Sequence, residues 1–410
     1  MIHVAYGLYD KGGHYSKFVG TSMLSLFENT SADVTVHILH DSTLTNDNRE
    51  KFSWVAGRYN QRVVFHNVEE TCAEEIGKIR RSISKENLDR FSIATFFRLL
   101  ISQIFLKTIT KSLYFDADTI INLDVAEMWR VELGDKPLAA VLEWEDSRVS
   151  QYGLELCREG LVKPEDYFNA GVLIMNLERF RHEEKQVSKG IEFIINNPIY
   201  RFGDQDILNY CFSTEYLKLP SKFNCWVRRE RRAGNTTIER KIYHFIGKSD
   251  SLGLDVRDNF HRLYWEYFAK TPWFNAETIL NIGTGVRQYY VNRQTFAIRV
   301  SALMSGKTRV FFTEPASVQA VRQIFAVRDD EEILTLTSDE SVKQLANAMN
   351  ESRGRKVVFV LTSHPSIYQQ LKKILTQLGF VEGRDFVNAL EFLSEAQGVP
   401  FDAWSIIQNM

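Results

Sequence analysis

Short apolar strands alternate with amphipathic helices over the first 115 residues of the chain. The spacing of apolar residues predicts strands and helices in turn, at 2–8, 15–29, 33–41, 45–60, 62–68, 91–105 and 111–115. Such alternation is typical of an α/β fold in which a mainly parallel sheet carries helices on both faces. Ligands of these sheets bind beyond the carboxyl ends of the strands. The polar residues that follow the strands are therefore the first candidates for a functional site.

The pattern changes after residue 275. Three more strands are predicted, at 307–315, 331–338 and 356–363. Helical spacing separates them, so we predict a larger α/β domain at 1–275, a helical bridge at 276–306 and a smaller α/β domain at 307–410. The smaller domain lacks the G-x-G-x-x-G turn of a dinucleotide site, and we interpret it as an accessory domain.

The bulk composition excludes some classes of function. The chain has 410 residues, a hydrophobic content of 44% and a formal net charge of −2. A nearly neutral chain gives no electrostatic case for binding nucleic acid or a membrane surface. No apolar run approaches the ~20 residues of a membrane span, and we see no signal peptide, so we expect a cytoplasmic protein. The four cysteines match neither zinc nor disulfide spacing and are interpreted as reduced structural thiols.

Two carboxylates, Asp116 and Asp118, follow the apolar strand that ends at Phe115. In an extended segment, residues two apart lie on one side, so both side chains can face the same cation. Carboxylate oxygens suit Mn²⁺ or Mg²⁺, and such an ion can bridge the protein to a substrate diphosphate. The alternative is a pair of solvated turn residues, because D-x-D is a weak motif by itself.

A second candidate is His244, which follows an apolar strand in KIYHFIGKSD. Its imidazole can offer a nitrogen ligand to the same cation. Gly247 allows the backbone to approach a phosphate closely, and Lys248 can neutralise phosphate charge. The alternative is a structural histidine, which is the commoner role of a single histidine.

Two further segments place polar residues beside apolar ones. In YFNAGVLIMNLERFR, the residues Asn169, Ala170 and Gly171 open a strand, and small residues with one amide suit the wall of a sugar pocket. In GDQDILN, Asp204 and Gln205 lie at a predicted helix N-terminus. The alternatives are a tight turn for the first segment and ordinary helix capping for the second.

Taken together and in order, LYFDADTIINLD, YFNAGVLIMNLERFR, GDQDILN and HFIGK, followed by Pro272-Trp273, resemble the motifs of glycosyltransferase family 8. The family includes glycogenin and bacterial lipooligosaccharide galactosyltransferases, and the resemblance covers roughly 1–275. It implies a Rossmann-like GT-A fold and retaining transfer of glucose or galactose from a UDP-sugar to a glycan or glycosylated-protein acceptor. The first loop, GLYDKGGHYSKFVGTS, is similar to that of Gram-positive enzymes that extend glycans on adhesin glycoproteins.

The resemblance also implies roles for individual residues. Asp116, Asp118 and His244 match Mn²⁺ ligands. The positions that match donor contacts are Asp10, Arg98, Asp116, Ala117, Asp118, Glu143, Asn169, Ala170, Gly171, Asp204, Gln205, Gly247 and Lys248. The catalytic positions are Asp204, which matches a carboxylate that holds sugar hydroxyls, and Gln205, which matches the side chain nearest the anomeric carbon. The chain departs from the family pattern in its longer first loop, where Asp10 is the candidate uracil ligand, and at Glu143, where an aspartate is usual.

The matched residue types suggest a mechanism. An amide such as Gln205 is a poor nucleophile, but it can stabilise an oxocarbenium-like transition state, so we expect same-face attack by the acceptor. The smaller domain is interpreted as a site for acceptor docking or self-association. The basic stretch 224–241 is either a solvated loop or a partner-binding patch. The alternative function is a nucleotide-sugar-binding scaffold without transfer activity, which UDP release from UDP-sugars would distinguish.

Overall fold

A computed structural model describes residues 1–13, 15–82, 92–143, 154–197, 200, 202–246, 257–280, 282–284, 287, 306–325, 327–352, 354–362 and 365–389. They fall into two compact units, one before residue 282 and one from that residue on. Both units combine helices with mainly parallel sheets, which confirms the predicted α/β class. Most of the helical bridge predicted at 276–306 lies outside the described residues.

The strands of the larger unit follow the predicted alternation closely. They are β1 (Ile2–Leu8), β2 (Val34–His40), β3 (Arg62–Asn67), β4 (Lys111–Phe115), β5 (Thr119–Ile121), β6 (Leu138–Leu142), β7 (Phe168–Asn176), β8 (Leu217–Lys218), β9 (Cys225–Trp226) and β10 (Ile242–His244). In the described residues, seven of them form one sheet in the order β3-β2-β1-β4-β7-β6-β8. The first four pair in parallel because helical connections return the chain to the same edge. The sheet is mixed beyond β4, since β7 runs antiparallel to both β4 and β6.

A second, smaller sheet forms beside the carboxyl end of β4. β10 pairs with β5 in antiparallel fashion, so that His244 lies opposite Thr119, and it pairs with β9 in parallel. This pairing brings the end of β10 next to the turn that joins β4 to β5. Two sequence segments more than 100 residues apart, 116–118 and 242–244, therefore become neighbours.

Helices cover both faces of the main sheet. The α-helices of the larger unit are α1 (Ser16–Asn29), α2 (Asn46–Arg58), α3 (Val68–Thr71), α4 (Ala73–Ser82), α5 (Ile101–Ile104), α6 (Ala126–Trp129), α7 (Glu155–Arg158), α8 (Leu177–His182), α9 (Glu184–Asn196), α10 (Asp204–Phe212), α11 (Val227–Arg232) and α12 (Asn259–Phe268). Its 3₁₀ helices are Ile93–Leu100, Pro164–Asp166 and Ser221–Phe223. The predicted N-cap of α2 is confirmed, because the Thr45 side chain accepts a hydrogen bond from the backbone of Asn48 at 3.2 Å.

The core of the larger unit has one layer on each face of the sheet. One layer packs residues such as Tyr6 and Phe115 against α1, α2 and α12. The other packs Tyr114 and Leu173 against α10 and the 3₁₀ helix Ile93–Leu100. β2 is buried along its whole length because it lies inside the sheet and is covered on both faces. The four cysteines are buried free thiols.

The smaller unit is a parallel α/β sheet of its own. Its strands are β11 (Thr308–Thr313), β12 (Glu332–Thr335), β13 (Lys356–Leu361) and β14 (Phe386–Asn388). In the described residues these strands lie in the order β12-β11-β13-β14. The helices between them are α13 (Val318–Phe325), α14 (Asp339–Glu351), α15 (Pro365–Gln377) and the 3₁₀ helix Pro315–Ser317. β14 was not predicted, because its three residues are too short for a period-two pattern. Across the described part of the chain, no helix is long and apolar enough to cross a membrane.

Candidate active site

The candidate site lies where the carboxyl end of β4 meets β7, the end of β10 and the first turn of α10. Asp116 follows β4, and its backbone N–H donates to the carbonyl of Gly171 in β7 at 2.8 Å. Asp118 precedes β5, and its carbonyl accepts from the backbone N–H of Phe245 at 2.9 Å. These backbone bonds hold the D-x-D turn between β7 and the segment that follows β10.

Asp116, Asp118 and His244 converge on one point. A ligand atom of each lies within 4.8 Å of the other two. His244 Nε2 is 3.1 Å from Asp118 Oδ1 and 3.8 Å from Asp116 Oδ2. Two carboxylate oxygens with one imidazole nitrogen are ligands that suit Mn²⁺. Among the residues that the structure describes, no other group of three His, Cys, Asp or Glu side chains converges in this way.

Gly171 leaves space beside these ligands. A Cβ atom at this position would lie 2.3 Å from His244 Cε1 and 2.7 Å from Asp116 Oδ2. Any side chain on Gly171 would therefore push into the ligand cluster. The donor set and the open space together fit a divalent cation.

The electrostatics of His244 reflect the same convergence. Burial by itself would lower the pKa of His244, but the carboxylates of Asp118 and Asp116 raise it above its ordinary value. Two carboxylates that face one imidazole concentrate negative charge in a small volume. A bound divalent cation would compensate this charge.

Arg98 connects two parts of the site and is only 4% exposed. Its guanidinium donates to Asp116 Oδ1 at 2.7 Å and pairs with Asp204 Oδ2 at 3.0 Å. It also donates to the backbone carbonyl of Ala170 at 2.5 Å and lies 4.3 Å from the centroid of the Tyr114 ring. Burial opposes the charge, but the two carboxylates hold the pKa of Arg98 above its ordinary value. Arg98 therefore sets the position of the D-x-D turn relative to α10.

The first turn of α10 presents Asp204 and Gln205 to the site. Gly203, which precedes the helix, has a φ of 48°, a left-handed conformation that favours glycine. Burial raises the pKa of Asp204 to about 7, although the charge of Arg98 works in the opposite direction. A carboxyl group with a pKa near neutrality can act as acceptor or, when protonated, as donor.

Gln205, Asn169 and Glu143 form a closed hydrogen-bond network. Gln205 Oε1 accepts from the backbone N–H of Ala170 at 3.0 Å and from Asn169 Nδ2 at 3.2 Å. Gln205 Nε2 donates to Glu143 Oε2 at 3.1 Å, and Asn169 Nδ2 donates to the same oxygen at 2.9 Å. The network thus ties α10 to β7 and to the residue that follows β6.

Glu143 is buried at the edge of the described structure. Burial raises the pKa of Glu143, while hydrogen bonds from Asn169 and Gln205 and the charge of Arg229 work against the rise. The Arg229 guanidinium also donates to the backbone carbonyl of Glu143 and lies 3.8 Å from the centroid of the Trp226 ring. Residues 144–153, which continue from Glu143, lie outside the described residues.

Buried polar side chains anchor α10 on the start of β7. Asn209 exchanges two hydrogen bonds of 2.8 Å with the backbone of Phe168. The Tyr167 hydroxyl donates to Asp206 Oδ1 at 2.6 Å, and the Phe202 N–H donates to Asp206 Oδ2 at 2.8 Å. Since both contacts satisfy buried polar groups, they hold the helix N-terminus, and Gln205 with it, in one place.

Comparison with known protein families identifies the larger unit. The family described as glycosyl transferase family 8 matches residues 4–249, a stretch that includes every element around the site. The chain belongs to this family. The resemblance read from the motifs is thereby confirmed.

Bacterial glycosyltransferases are among the similar proteins. A glycosyltransferase of Haemophilus influenzae is 27% identical over 219 residues, which cover 53% of this chain and 62% of that protein. The lipopolysaccharide 1,3-galactosyltransferase of Salmonella typhimurium is 26% identical over 309 residues, which cover 72% of this chain and 85% of that protein. A lipopolysaccharide 1,2-glucosyltransferase of Escherichia coli is 26% identical over 216 residues, which cover 52% of this chain and 60% of that protein. The chain thus spans only about three fifths of the first and third of these relatives.

Solved structures support the fold. The galactosyltransferase LgtC, solved with donor and acceptor sugar analogs, superposes with a TM-score of 0.54 at 21% identity, covering 67% of this chain and 98% of LgtC. The bifunctional glycosyltransferase WbbM superposes with a TM-score of 0.52 at 19% identity, covering 67% of this chain and 50% of WbbM. The predicted GT-A fold is confirmed by this likeness.

Most of the predicted site residues of the family 8 domain come together. The structure places around one site Arg98, Asp116, Ala117, Asp118, Glu143, Asn169, Ala170, Gly171, Asp204, Gln205 and His244. Ala117, between the two aspartates, is 5% exposed and packs into the core. Gly247 and Lys248 lie outside the described residues, so their role stays a prediction.

Asp10 is bound into the first loop and is fully buried. Its Oδ1 accepts from the backbone N–H groups of Tyr15 and Ser16 at 2.6 and 3.0 Å. Its Oδ2 accepts from the Ser16 hydroxyl at 2.6 Å and from Asn48 Nδ2 at 2.7 Å. This carboxylate thus shapes the loop at the start of α1, and its predicted contact with uracil stays a prediction.

Two residues beside the site were missed by sequence reasoning. Asn224 hydrogen-bonds to both His244 and Asn169, at 2.9 and 2.7 Å. Burial raises the pKa of Tyr15, and the charges of Asp118 and Asp116 add to the rise, which places this phenol near the D-x-D turn. Tyr15 could have been found from the sequence, because it is an aromatic residue that follows the acid Asp10 in the first loop. No local pattern signals Asn224.

The basic stretch 224–241 is partly regular structure, since it contains β9 and α11. Several of its charges pair within the protein. Arg231 pairs with Asp258 at 2.7 Å, and Lys241 pairs with Glu239 at 2.6 Å and with Glu230 at 3.2 Å. A role of this stretch in partner binding stays a prediction.

Proposed function

We propose that this family 8 glycosyltransferase moves glucose or galactose from a UDP-sugar to a glycan or glycosylated-protein acceptor, with Mn²⁺ as its cofactor and with retention of anomeric configuration. The observation that carries the proposal is the convergence of Asp116, Asp118 and His244. The relatives named as lipopolysaccharide glucosyl- and galactosyltransferases support the choice of sugar.

The cation would be held by Asp116, Asp118 and His244. A bound divalent ion supplies positive charge to the diphosphate of the leaving UDP. Arg98 keeps Asp116 in place through its 2.7 Å bond, and Gly171 keeps the space beside the ligands open. We favour Mn²⁺ because the set mixes oxygen with nitrogen ligands, and Mg²⁺, which prefers oxygen ligands only, is the alternative.

Asp204 and Asn169 would bind the sugar. Asp204 is buried against Arg98, and a carboxylate can accept hydrogen bonds from two hydroxyl groups. Asn169 lies in β7 between the cation ligands and Gln205 and offers both amide donors and an acceptor. Specificity between glucose and galactose would then depend on which hydroxyl these two residues can reach.

Gln205 would stabilise charge at the anomeric carbon. Its oxygen already accepts hydrogen bonds from Ala170 and Asn169, which makes a neutral amide an even poorer nucleophile. The partial negative charge of the oxygen can still stabilise an oxocarbenium-like transition state. We therefore favour same-face attack, in which the C–O bond to UDP breaks as the acceptor oxygen bonds to the anomeric carbon and the acceptor proton passes to the departing phosphate.

The remaining parts of the proposal concern the domains. We propose a catalytic domain at 1–275, a helical bridge at 276–306 and an accessory α/β domain at 307–410 that serves acceptor docking or self-association. The accessory role is supported by the absence of a convergent metal-ligand cluster in the described residues of the smaller unit.

The test is UDP release from UDP-glucose and UDP-galactose by the full chain, with Mn²⁺, with Mg²⁺ and with excess EDTA. We expect turnover with Mn²⁺ and loss of turnover in EDTA, in Asp116→Ala and in Asp118→Ala. The matched control is Asp47→Ala, which removes an aspartate that is 70% exposed on α2 and should leave turnover unchanged. Full activity in EDTA would contradict the metal role. Binding of a UDP-sugar without UDP release would favour the nucleotide-sugar-binding scaffold.

A further inference from the structure

A chain of side-chain hydrogen bonds runs from the backbone of β7 to the candidate cation site. The N–H of Gly171 donates to Asn169 Oδ1 at 2.9 Å. Asn224 Nδ2 donates to the same oxygen at 2.7 Å, and Asn224 Oδ1 lies 2.9 Å from His244 Nδ1. Asn224 is 2% exposed and His244 is 3% exposed, so water does not compete for these contacts.

The direction of this chain follows from one backbone group. The N–H of Gly171 can only donate, so the side-chain atom of Asn169 that faces it must be the acceptor oxygen. The atom of Asn224 that faces this oxygen must then be its amide nitrogen. The amide oxygen of Asn224 is consequently the atom that faces His244 Nδ1. Either amide, if flipped, would place two donors or two acceptors against each other.

The same logic sets the proton position on His244. An amide oxygen accepts only, so Nδ1 of His244 must carry a hydrogen. In the metal-free protein Nε2 lies 3.1 Å from Asp118 Oδ1, which also accepts only, so Nε2 carries a hydrogen there as well. If a cation replaced the hydrogen on Nε2, the lone pair of Nε2 would point to that cation beside Asp118 and Asp116, while Nδ1 would keep its hydrogen. A metal-ligating histidine commonly donates its other ring N–H to a polar group that orients it.

We propose that Asn224 is a positioning residue that keeps a hydrogen on Nδ1 of His244, so that Nε2 is the nitrogen offered to the cation, and that links the cation site to the sugar-facing residue Asn169. This inference rests on the proposed function, because it assigns Nε2 of His244 to a cation. Asn169 also donates to Gln205 Oε1, so the hydrogen-bonded chain continues from the cation site to the amide beside the reacting carbon. Through Asn224, the position of the cation ligand His244 depends on the position of Asn169.

Two variants of the full chain separate the two bonds of Asn224. Asn224→Ala removes both. Asn224→Asp keeps an oxygen that accepts from His244 Nδ1–H but presents a second acceptor to Asn169. The matched control is Asn29→Ala, which removes an amide that donates to the carbonyls of Ser25 and Ile121 at 2.9 and 3.0 Å and to the Tyr267 hydroxyl at 2.7 Å, and that is not one of the cation ligands.

Mn²⁺ dissociation constants of these proteins, measured by electron paramagnetic resonance, form the first readout. We expect Asn224→Ala to bind Mn²⁺ about 10- to 100-fold more weakly than the wild type, which is the usual effect of losing a residue that orients a metal ligand. Asn224→Asp should bind Mn²⁺ as the wild type does, because it keeps the acceptor for His244. Its rate of UDP release should stay low, because Asn169 Oδ1 no longer receives a hydrogen bond from residue 224. The Asn29→Ala control should match the wild type. Wild-type Mn²⁺ affinity in both Asn224 variants would overturn the proposal.

The second readout needs no metal and no activity. Imidazole ¹⁵N chemical shifts and ring N–H resonances of the metal-free protein report which nitrogens of His244 carry a hydrogen, and comparison with His244→Gln assigns the signals. We expect a hydrogen on Nδ1 that exchanges slowly with water in the wild type and faster in Asn224→Ala, and a wild-type His244 whose Nδ1 carries no hydrogen would overturn the proposal even if Asn224→Ala failed to fold. A wild type that shows Nδ1–H but does not bind Mn²⁺ would contradict the proposed metal role, and with it the assignment of Nε2 to a cation.

Discussion

Gly171 shows how a single residue can decide whether a cluster of ligands is able to form. β7 passes directly beside the candidate cation ligands, and the hydrogen of glycine is all that fits between them. The same residue supplies the N–H that orients Asn169 and the carbonyl that accepts from Asp116. At the scale of the residue, therefore, the site depends on backbone groups that a change of side chain would displace.

We predict that Gly171→Ala abolishes Mn²⁺ binding and UDP release while the protein still folds. The added Cβ would lie 2.3 Å from His244 Cε1, so the imidazole must move away from the carboxylates. The matched control is Gly57→Ala, where the space around the Cβ is open within 4 Å and the position lies in α2. The control should keep full activity, and its stability should be equal to that of the wild type or higher, because alanine is favoured over glycine within a helix. Normal Mn²⁺ binding by Gly171→Ala would show that the ligands do not meet as the structure has them.

We predict that Gln205→Ala lowers the transfer rate about 10²–10³-fold, the usual cost of removing a preorganised electrostatic contact. UDP affinity should stay near the wild-type value, since Gln205 contacts Ala170, Asn169 and Glu143 and none of the cation ligands. Single-turnover kinetics and UDP binding by calorimetry measure the two quantities. The control is Gln103→Ala, which removes a glutamine that bonds to the exposed Glu184. A wild-type rate in Gln205→Ala would place the reacting carbon elsewhere, and a stable hexose adduct on Gln205 would rule out same-face attack.

At the scale of the element, α10 is held at its N-terminal half by buried polar contacts in addition to the apolar packing of Ile207. Asp206 accepts from the Tyr167 hydroxyl and from the Phe202 N–H, and Asn209 bonds to the backbone of Phe168. Directional bonds of this kind specify an orientation as well as a distance, which suits a helix that must present Gln205. These contacts require the carboxyl group of Asp206 to be buried, which costs free energy when the group is ionised.

This cost should appear as a pH dependence of stability. Burial raises the pKa of Asp206 to about 6, whereas an unfolded aspartate has a pKa of about 3.9. Between these values the folded protein keeps a proton that the unfolded chain has released. The contribution of Asp206 to the free energy of unfolding therefore falls as the pH rises from about 4 to about 6.

We predict that the free energy of unfolding of Asp206→Asn, relative to the wild type, rises by about 2 kcal/mol between pH 4 and pH 7, because asparagine does not titrate. Urea unfolding followed by tryptophan fluorescence at several pH values measures this difference. The variant Asn29→Ala changes no titrating group, and its difference from the wild type should be the same at each pH. A constant or falling difference for Asp206→Asn would contradict a pKa of Asp206 that burial raises.

At the scale of the whole molecule, the chain separates into two α/β units that each have their own core. The described residues of the smaller unit contribute none of the side chains that form the cation cluster, and the family match ends at residue 249. The core of the smaller unit contains residues such as Val310, Leu345 and Phe386, which come from its own strands and helices. Catalysis and the function of the smaller unit can therefore be tested separately.

We predict that a protein truncated after residue 306 still hydrolyses UDP-sugar at a rate close to that of the full chain. Transfer to a large glycan or glycoprotein acceptor should fall, if the smaller unit docks that acceptor. Circular dichroism and gel filtration first establish that the truncated protein is folded. A folded truncation without hydrolysis would show that the smaller unit takes part in the chemistry.

The sequence by itself determined the strands and helices that frame the site. The short apolar run of β1, the alternation in β2 and the helical spacing in α1 are local properties, because the direction of each side chain follows from the period of its own element. The position of Asp116 and Asp118 after β4 could be predicted for the same reason. The order of the motifs also indicated the protein family, which no single motif identifies.

Only the tertiary structure decided which polar groups meet. Asn224 bonds to His244 across 20 residues of sequence and to Asn169 across 55, and no period in the chain connects these positions. The antiparallel direction of β7 and the pairing of β10 with β5 were likewise open in the sequence. A hydrogen bond depends on the distance and angle between two particular atoms, and long-range distances are set by the packing of whole elements. For this reason the hydrogen-bond partners of His244 can be read from the folded protein and not from the spacing of its residues.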